Sequence, residues 1–146
     1  PSRSTVPDEP TKGFTMPLVM IDTIRGQYDE TQLRTLMDVV QDAVVEAFDV
    51  PDADRYQILT QHEPFELVAL DTGLGITRSE RLVIVRLASK ARTEDAKVTL
   101  YRALARNLKD RLDIGGEDLV VSITENGDAD WSFGHGTAQF LTGELG

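Results

Sequence analysis

Met16-Pro17-Leu18-Val19-Met20-Ile21-Asp22 reads as a buried β-strand with a proline at its first position. Proline has no N–H to give to a ladder, so a strand tolerates it at the start and hardly anywhere deeper. Gly26 breaks the run, and Asp29 with Gln32 three residues on has the pattern of a helix N-terminal capping box. Leu33, Leu36, Met37, Val40, Val44, Ala47 and Phe48 then recur at helical spacing, which predicts an amphipathic helix over about 30–48. Asp49-Val50-Pro51 stops it, and residues 54–60 read as a second strand.

The same unit returns 64 residues later. Val19 falls on Val83, Ile21 on Val85, Asp29 on Thr93, Val40 on Leu104, Phe48 on Leu112 and Asp54 on Asp118. Strands, caps and apolar stripes coincide, so a β-α-β unit is used twice, over about 17–60 and 81–124. Residues 81–88 give the strongest strand signal and 119–123 another, with a helix to about 112 between them. The expected fold is α+β: one four-stranded sheet with both helices on one face. Its other face is left uncovered, which predicts an oligomer. Between the units, 66–70 is expected to add a short strand. Residues 1–16 have the composition of a linker and are expected to be an N-terminal extension, with Phe14 the one large apolar group able to dock.

Composition narrows the function. A chain of 146 residues suits one domain, and a net charge of −10 disfavours nucleic acid and anionic membrane surfaces as partners. There is no cysteine, so thiolate metal sites and cysteine nucleophiles are excluded. His62 and His135, the only histidines, lack a metal-ligand spacing, and no cofactor fingerprint is present. No apolar run is long enough for a membrane helix, and a cytoplasmic location is the default reading.

Four places could carry chemistry. Pro17 begins the first strand, and Asp54 and Tyr56 begin the second. Lys90 and Arg92 follow the strand at 81–88, and Trp131 and Phe133 lie near the C-terminus. An amine, a carboxylate, two cations and apolar walls suit a small anionic carbonyl substrate. Arg92 and Lys90 would hold its carboxylate, the arginine bidentately. Pro17 can act only as a free amine, whether as base, acid or nucleophile. As the residue after Met16 it is a tertiary amide with no basicity. Each residue also has a plainer reading: strand punctuation for Pro17, a turn cap for Asp54, solvated charge for the cations and core for the aromatics.

Several stretches together resemble the tautomerase superfamily, in its malonate semialdehyde decarboxylase branch. They are Pro17-Leu18, Asp54-Arg55-Tyr56-Gln57, Asp71-Thr72-Gly73-Leu74-Gly75, Arg78-Ser79, the run from Glu125 to Gly134, and Gln139 to Leu145. The resemblance implies a homotrimer of tandem β-α-β monomers and an amino-terminal proline catalyst at Pro17. It implies a catalytic carboxylate at Asp54, substrate-binding cations at Arg92 and at Lys90 (where the family has arginine), and an aromatic wall of Trp131, Phe133 and Phe140. The implied activity is cofactor-free decarboxylation of a 3-oxo acid such as malonate semialdehyde. The alternatives are keto–enol tautomerisation of a phenylpyruvate-type substrate, or a trimeric member without catalysis because Pro17 is internal.

Overall fold

The computed structural model describes residues 17–145, so the expectations for the 1–16 extension and for Phe14 lie outside the described residues. The chain runs β1 (Leu18–Ile24), α1 (Glu30–Phe48), β2 (Tyr56–His62), β3 (Val83–Lys90), α2 (Glu94–Leu112), β4 (Leu119–Asn126) and a short α3 (Gln139–Thr142). The sheet is mixed, in the order β2-β1-β3-β4. Within each half the strands are parallel, as a helical crossover requires, and the halves meet antiparallel at β1 and β3.

Local chemistry fixes both helices. Asp29 accepts from the Gln32 N–H at 2.8 Å while Gln32 Oε1 accepts from the Asp29 N–H at 2.9 Å, which closes the capping box. Thr93 caps α2 by accepting from the Ala96 N–H at 3.1 Å. Both helices end on an aspartate in the left-handed conformation, Asp49 at φ 55° and Asp113 at φ 53°, again 64 residues apart. Aspartate tolerates that conformation better than most residues with a Cβ.

Alternation along the strands decides the layers. Val19 and Ile21 of β1 and Val83, Val85 and Leu87 of β3 are buried against Leu36, Val40 and Val44 of α1 and Leu100, Leu104 and Leu108 of α2. Both helices therefore cover the same face. The opposite face carries Tyr56 and Ile58 of β2, 41% and 50% exposed. It also carries buried Asp22, held by His62 at 2.7 Å and by Arg86 at 2.9 Å.

Strand ends differ from the sequence reading, β4 running on to Asn126 and β2 to His62, and one expected strand is missing. The Asp54 N–H donates to Pro51 O at 3.0 Å, so 51–54 is a turn and β2 starts only at Tyr56. β3 begins at Val83 and runs on to Lys90, because pairing with β4 continues to Lys90 opposite Asn126. The extra strand expected at 66–70 is absent. Pro64–Glu66 is instead a turn of 3-10 helix, and Phe65, Val68 and Leu70 after and within it are exposed. A strand needs an edge to pair with, and this segment pairs with none of the described strands. No described helix is long and apolar enough to cross a membrane.

Candidate active site

Strand direction gathers the expected residues at one end of the sheet. Pro17, itself buried, immediately precedes β1, whose first residue Leu18 pairs with Tyr56 on one side and Ala88 on the other. β2 runs parallel to β1, so the turn holding Asp54 lies at that same end. β3 runs antiparallel, so its last residue Lys90 and the following Arg92 arrive there too. β4, parallel to β3, delivers Asn126 and the C-terminal segment.

That segment supplies the wall. Trp131 and Phe133 stack at 5.3 Å, Phe133 stacks on Tyr56 at 5.9 Å, and Phe140 meets Phe133 edge-on at 5.5 Å. Trp131 Nε1 donates to Asn126 Oδ1 at 2.8 Å, which fixes the indole to the end of β4. All four aromatics named from the sequence thus form one continuous cluster.

The two cations differ in surroundings. Lys90 Nζ pairs with Asp128 at 2.5 Å and lies 4.2 Å from the centre of the Phe140 ring. It therefore ties β3 to the aromatic segment as well as placing charge there. Arg92 lays its guanidinium over the Phe48 ring, 4.6 Å from the centroid, and burial draws its pKa below the ordinary arginine value. The Arg92 N–H donates to Glu125 Oε2 at 3.3 Å, and Lys97 Nζ pairs with the same oxygen at 2.6 Å. The Lys97 hydrogen bond first, and the Arg92 N–H second, hold the Glu125 carboxyl below its ordinary value. Two of the three nearby cations, Lys90 and Lys97, are thus paired with carboxylates of the segment at and after the end of β4.

Asp54 is the unusual acid. Its Oδ2 is buried and has no hydrogen-bond partner among the described residues. Burial raises its pKa above the ordinary aspartate value. The folded chain therefore binds that proton more tightly than the unfolded one. Above the folded pKa the charge costs stability, and the cost fades as pH falls toward the ordinary value. Asp54→Asn is expected to melt higher than the native chain at neutral pH, with the difference vanishing below about pH 4. Thermal melts across that range check it.

Sequence reading missed Phe48, Lys97, Glu125 and Asp128. The spacing of Phe48 places it in the helix core, and nothing in that spacing shows that it also supports a cation. Asp128 stands in an acidic run, a weak signal of a partner for Lys90. A groove on the outer edge between α1 and β2 is lined by Arg34, Met37, Asp38, Arg55 and Gln57 and holds none of the expected residues. Among the described residues no group of three or more His, Asp or Glu could hold a metal ion.

Two family models, each described as "Tautomerase enzyme", match residues 54–134 and 17–76. The "Probable tautomerase YrdN" of Bacillus subtilis (strain 168) is 50% identical over 130 residues, 89% of this chain and 100% of the relative. The chain belongs to the tautomerase superfamily of enzymes. Among solved structures, a malonate semialdehyde decarboxylase described for its decarboxylase and hydratase activities shares 44% identity at a TM-score of 0.83, over 88% of this chain and 98% of that one. A fused 4-OT described as a symmetric trimer shares the fold at a TM-score of 0.69 and 21% identity, over 86% of this chain and 98% of that one. The tautomerase resemblance read from Pro17, Asp54 and the 125–134 run therefore holds, and the α+β tautomerase fold with it.

Proposed function

We propose that this tautomerase, as a chain beginning at Pro17, decarboxylates a small 3-oxo acid such as malonate semialdehyde without a cofactor. The observation that carries this reading is that strand direction brings an acid and a cation to the end of the sheet where β1 starts. A partly buried guanidinium lies on Phe48, and a carboxylate oxygen on Asp54 is buried without a hydrogen-bond partner among the described residues. The 44% identity to a malonate semialdehyde decarboxylase supports the choice of substrate. One family model's match opens at Pro17, which supports a working chain that starts there.

In this scheme Arg92, with Lys90 as second cation, holds the substrate carboxylate. Tyr56, Trp131, Phe133 and Phe140 exclude water. A protonated Pro17 nitrogen hydrogen-bonds the aldehyde oxygen. The bond to the carboxylate carbon breaks, carbon dioxide leaves, and the electron pair forms an enolate, its oxygen held by the Pro17 N–H. The enolate takes one proton at carbon from the Pro17 ammonium or a water to give the aldehyde, the proton then being replaced from solvent. Asp54 orients the Pro17 nitrogen or a water. The uncovered sheet face, with Tyr56 and Ile58 exposed, is closed by other copies in a homotrimer, the assembly for which the fused 4-OT that shares the fold is described.

A second reading is favoured by the stacked aromatic cluster and by the name of the relative YrdN. A neutral Pro17 amine moves a proton between carbon and oxygen of an aryl 2-oxo acid. The chain from Pro17 onward, assayed side by side on malonate semialdehyde and phenylpyruvate, separates the two. The expected result is carbon dioxide release with kcat/KM at least tenfold above phenylpyruvate tautomerisation. The reverse order overturns the decarboxylase reading, and no turnover of either leaves a trimeric family member without these activities.

A further inference from the structure

The repeat gives each half a turn leading into its second strand, and the two turns begin alike. Asp54 donates its N–H to Pro51 O at 3.0 Å, and Asp118 donates its N–H to Gly115 O at 3.0 Å. Each turn is sealed by a buried apolar residue, Val50 in the first and Ile114 in the second. The likeness ends at the carboxylates. Asp118 is buried and both of its oxygens hold the chain, with Oδ1 accepting the Ser79 N–H and Oδ2 the Ser79 hydroxyl, each at 2.6 Å. Asp54 has a buried oxygen that bonds to none of the described residues.

Something else holds the first turn. Gln41, on the covered face of α1 and only 3% exposed, donates from Nε2 to Asp52 O at 3.2 Å and to Asp54 O at 3.1 Å. Both partners are carbonyls and can only accept, so the amide nitrogen is the atom that must face them. A buried carboxamide in an apolar helix stripe is costly unless its donors are satisfied, and here both hydrogens are used on one turn. The equivalent position 64 residues on is Ala105, which has no donor to offer. The second turn is held by its aspartate side chain, whereas the first is held by its backbone.

We propose that Gln41 is a positioning residue for Asp54: by anchoring the turn through the Asp52 and Asp54 carbonyls, it releases the Asp54 carboxylate from structural duty and leaves Oδ2 available to the reaction. The assignment rests on the reading of Asp54 under the proposed function. The helix supplies the rigidity, because Gln41 lies mid-way along α1, where the backbone is held on both sides by the helical ladder.

The test uses the chain from Pro17 with Gln41→Met, which matches the shape and removes both donors, and Gln41→Asn, which keeps the amide but shortens its reach. Asp118→Asn provides a comparison that loosens the remote turn. Each is measured for kcat, KM, the pH profile of kcat/KM and thermal melting. Both Gln41 variants are expected to lose about ten- to a hundredfold in kcat with KM little changed, the cost of misplacing a reacting group by about an ångström. Their acid limb is expected to move toward the ordinary aspartate value as water reaches Oδ2. Asp118→Asn is expected to lower the melting temperature while leaving kcat and the acid limb in place. A folded Gln41→Met or Gln41→Asn with native kcat and acid limb overturns the proposal, as does Asp118→Asn reproducing the same kinetic losses. Asp54→Asn at full activity sinks the site reading itself, whereas an inactive Asp54→Asn beside a native-like Gln41→Met sinks only the role of Gln41.

Discussion

A chain beginning at Pro17 is expected to turn over its oxo-acid substrate about a hundred- to ten-thousandfold faster than the 146-residue chain in which Met16 precedes it. The difference is electronic. An amide nitrogen has given its lone pair to the carbonyl and can be neither protonated nor used as a base near neutral pH, whereas a secondary amine can be both. No neighbouring group can restore that capacity, since resonance in the peptide link is far stronger than any shift a site makes. Pro17→Ala in the shortened chain keeps a terminal amine but loses the ring that fixes its direction. It is expected to fall between the two. Equal rates for all three proteins, each folded by circular dichroism, contradict a role for the nitrogen.

Arg92→Ala is expected to cost about 1.5–3 kcal/mol of transition-state binding, roughly ten- to a hundredfold or slightly more in kcat/KM. The guanidinium is stacked on Phe48 and partly desolvated, so its field toward a carboxylate is less screened than that of a surface cation. Arg92→Lys should recover only part of the loss, because an ammonium lacks the planar fork that meets both carboxylate oxygens. Lys90→Met is expected to do less in kcat/KM, since an ammonium meets a carboxylate at a single point where the Arg92 fork can meet both oxygens. Steady-state kinetics on the shortened chain give all three values. Losses larger at Lys90 than at Arg92 would reverse the assignment of the main anion-binding group.

Much of this was legible in the residues themselves. The 64-residue repeat of strand, cap and apolar stripe carried the sheet and both helices, and it even extends to Asp49 and Asp113 at the helix ends. Strand ends were less legible. Asp54-Arg55 reads as strand by pattern, yet a single hydrogen bond from Asp54 to Pro51 makes it a turn. Glu66–Leu70 looked like a strand because its residues favour one, but propensity cannot supply a neighbour to pair with. The site residues named from the sequence were those with unusual chemistry for their place. Their supports carry no such mark: Phe48 and Gln41 sit on a helix stripe, Lys97 on a helix surface, and the partners of Phe48 and Lys97 lie far along the chain. A glutamine between Val40 and Ala43 on a buried stripe was the one available signal.

The intact mass of the protein isolated from the cells that make it bears most directly on whether position 17 carries an amine. The expected mass is that of a chain whose first residue is Pro17. A mass that includes Met16 or any residue before it shows a nitrogen sealed in a peptide link, and contradicts the amine chemistry assigned to this site.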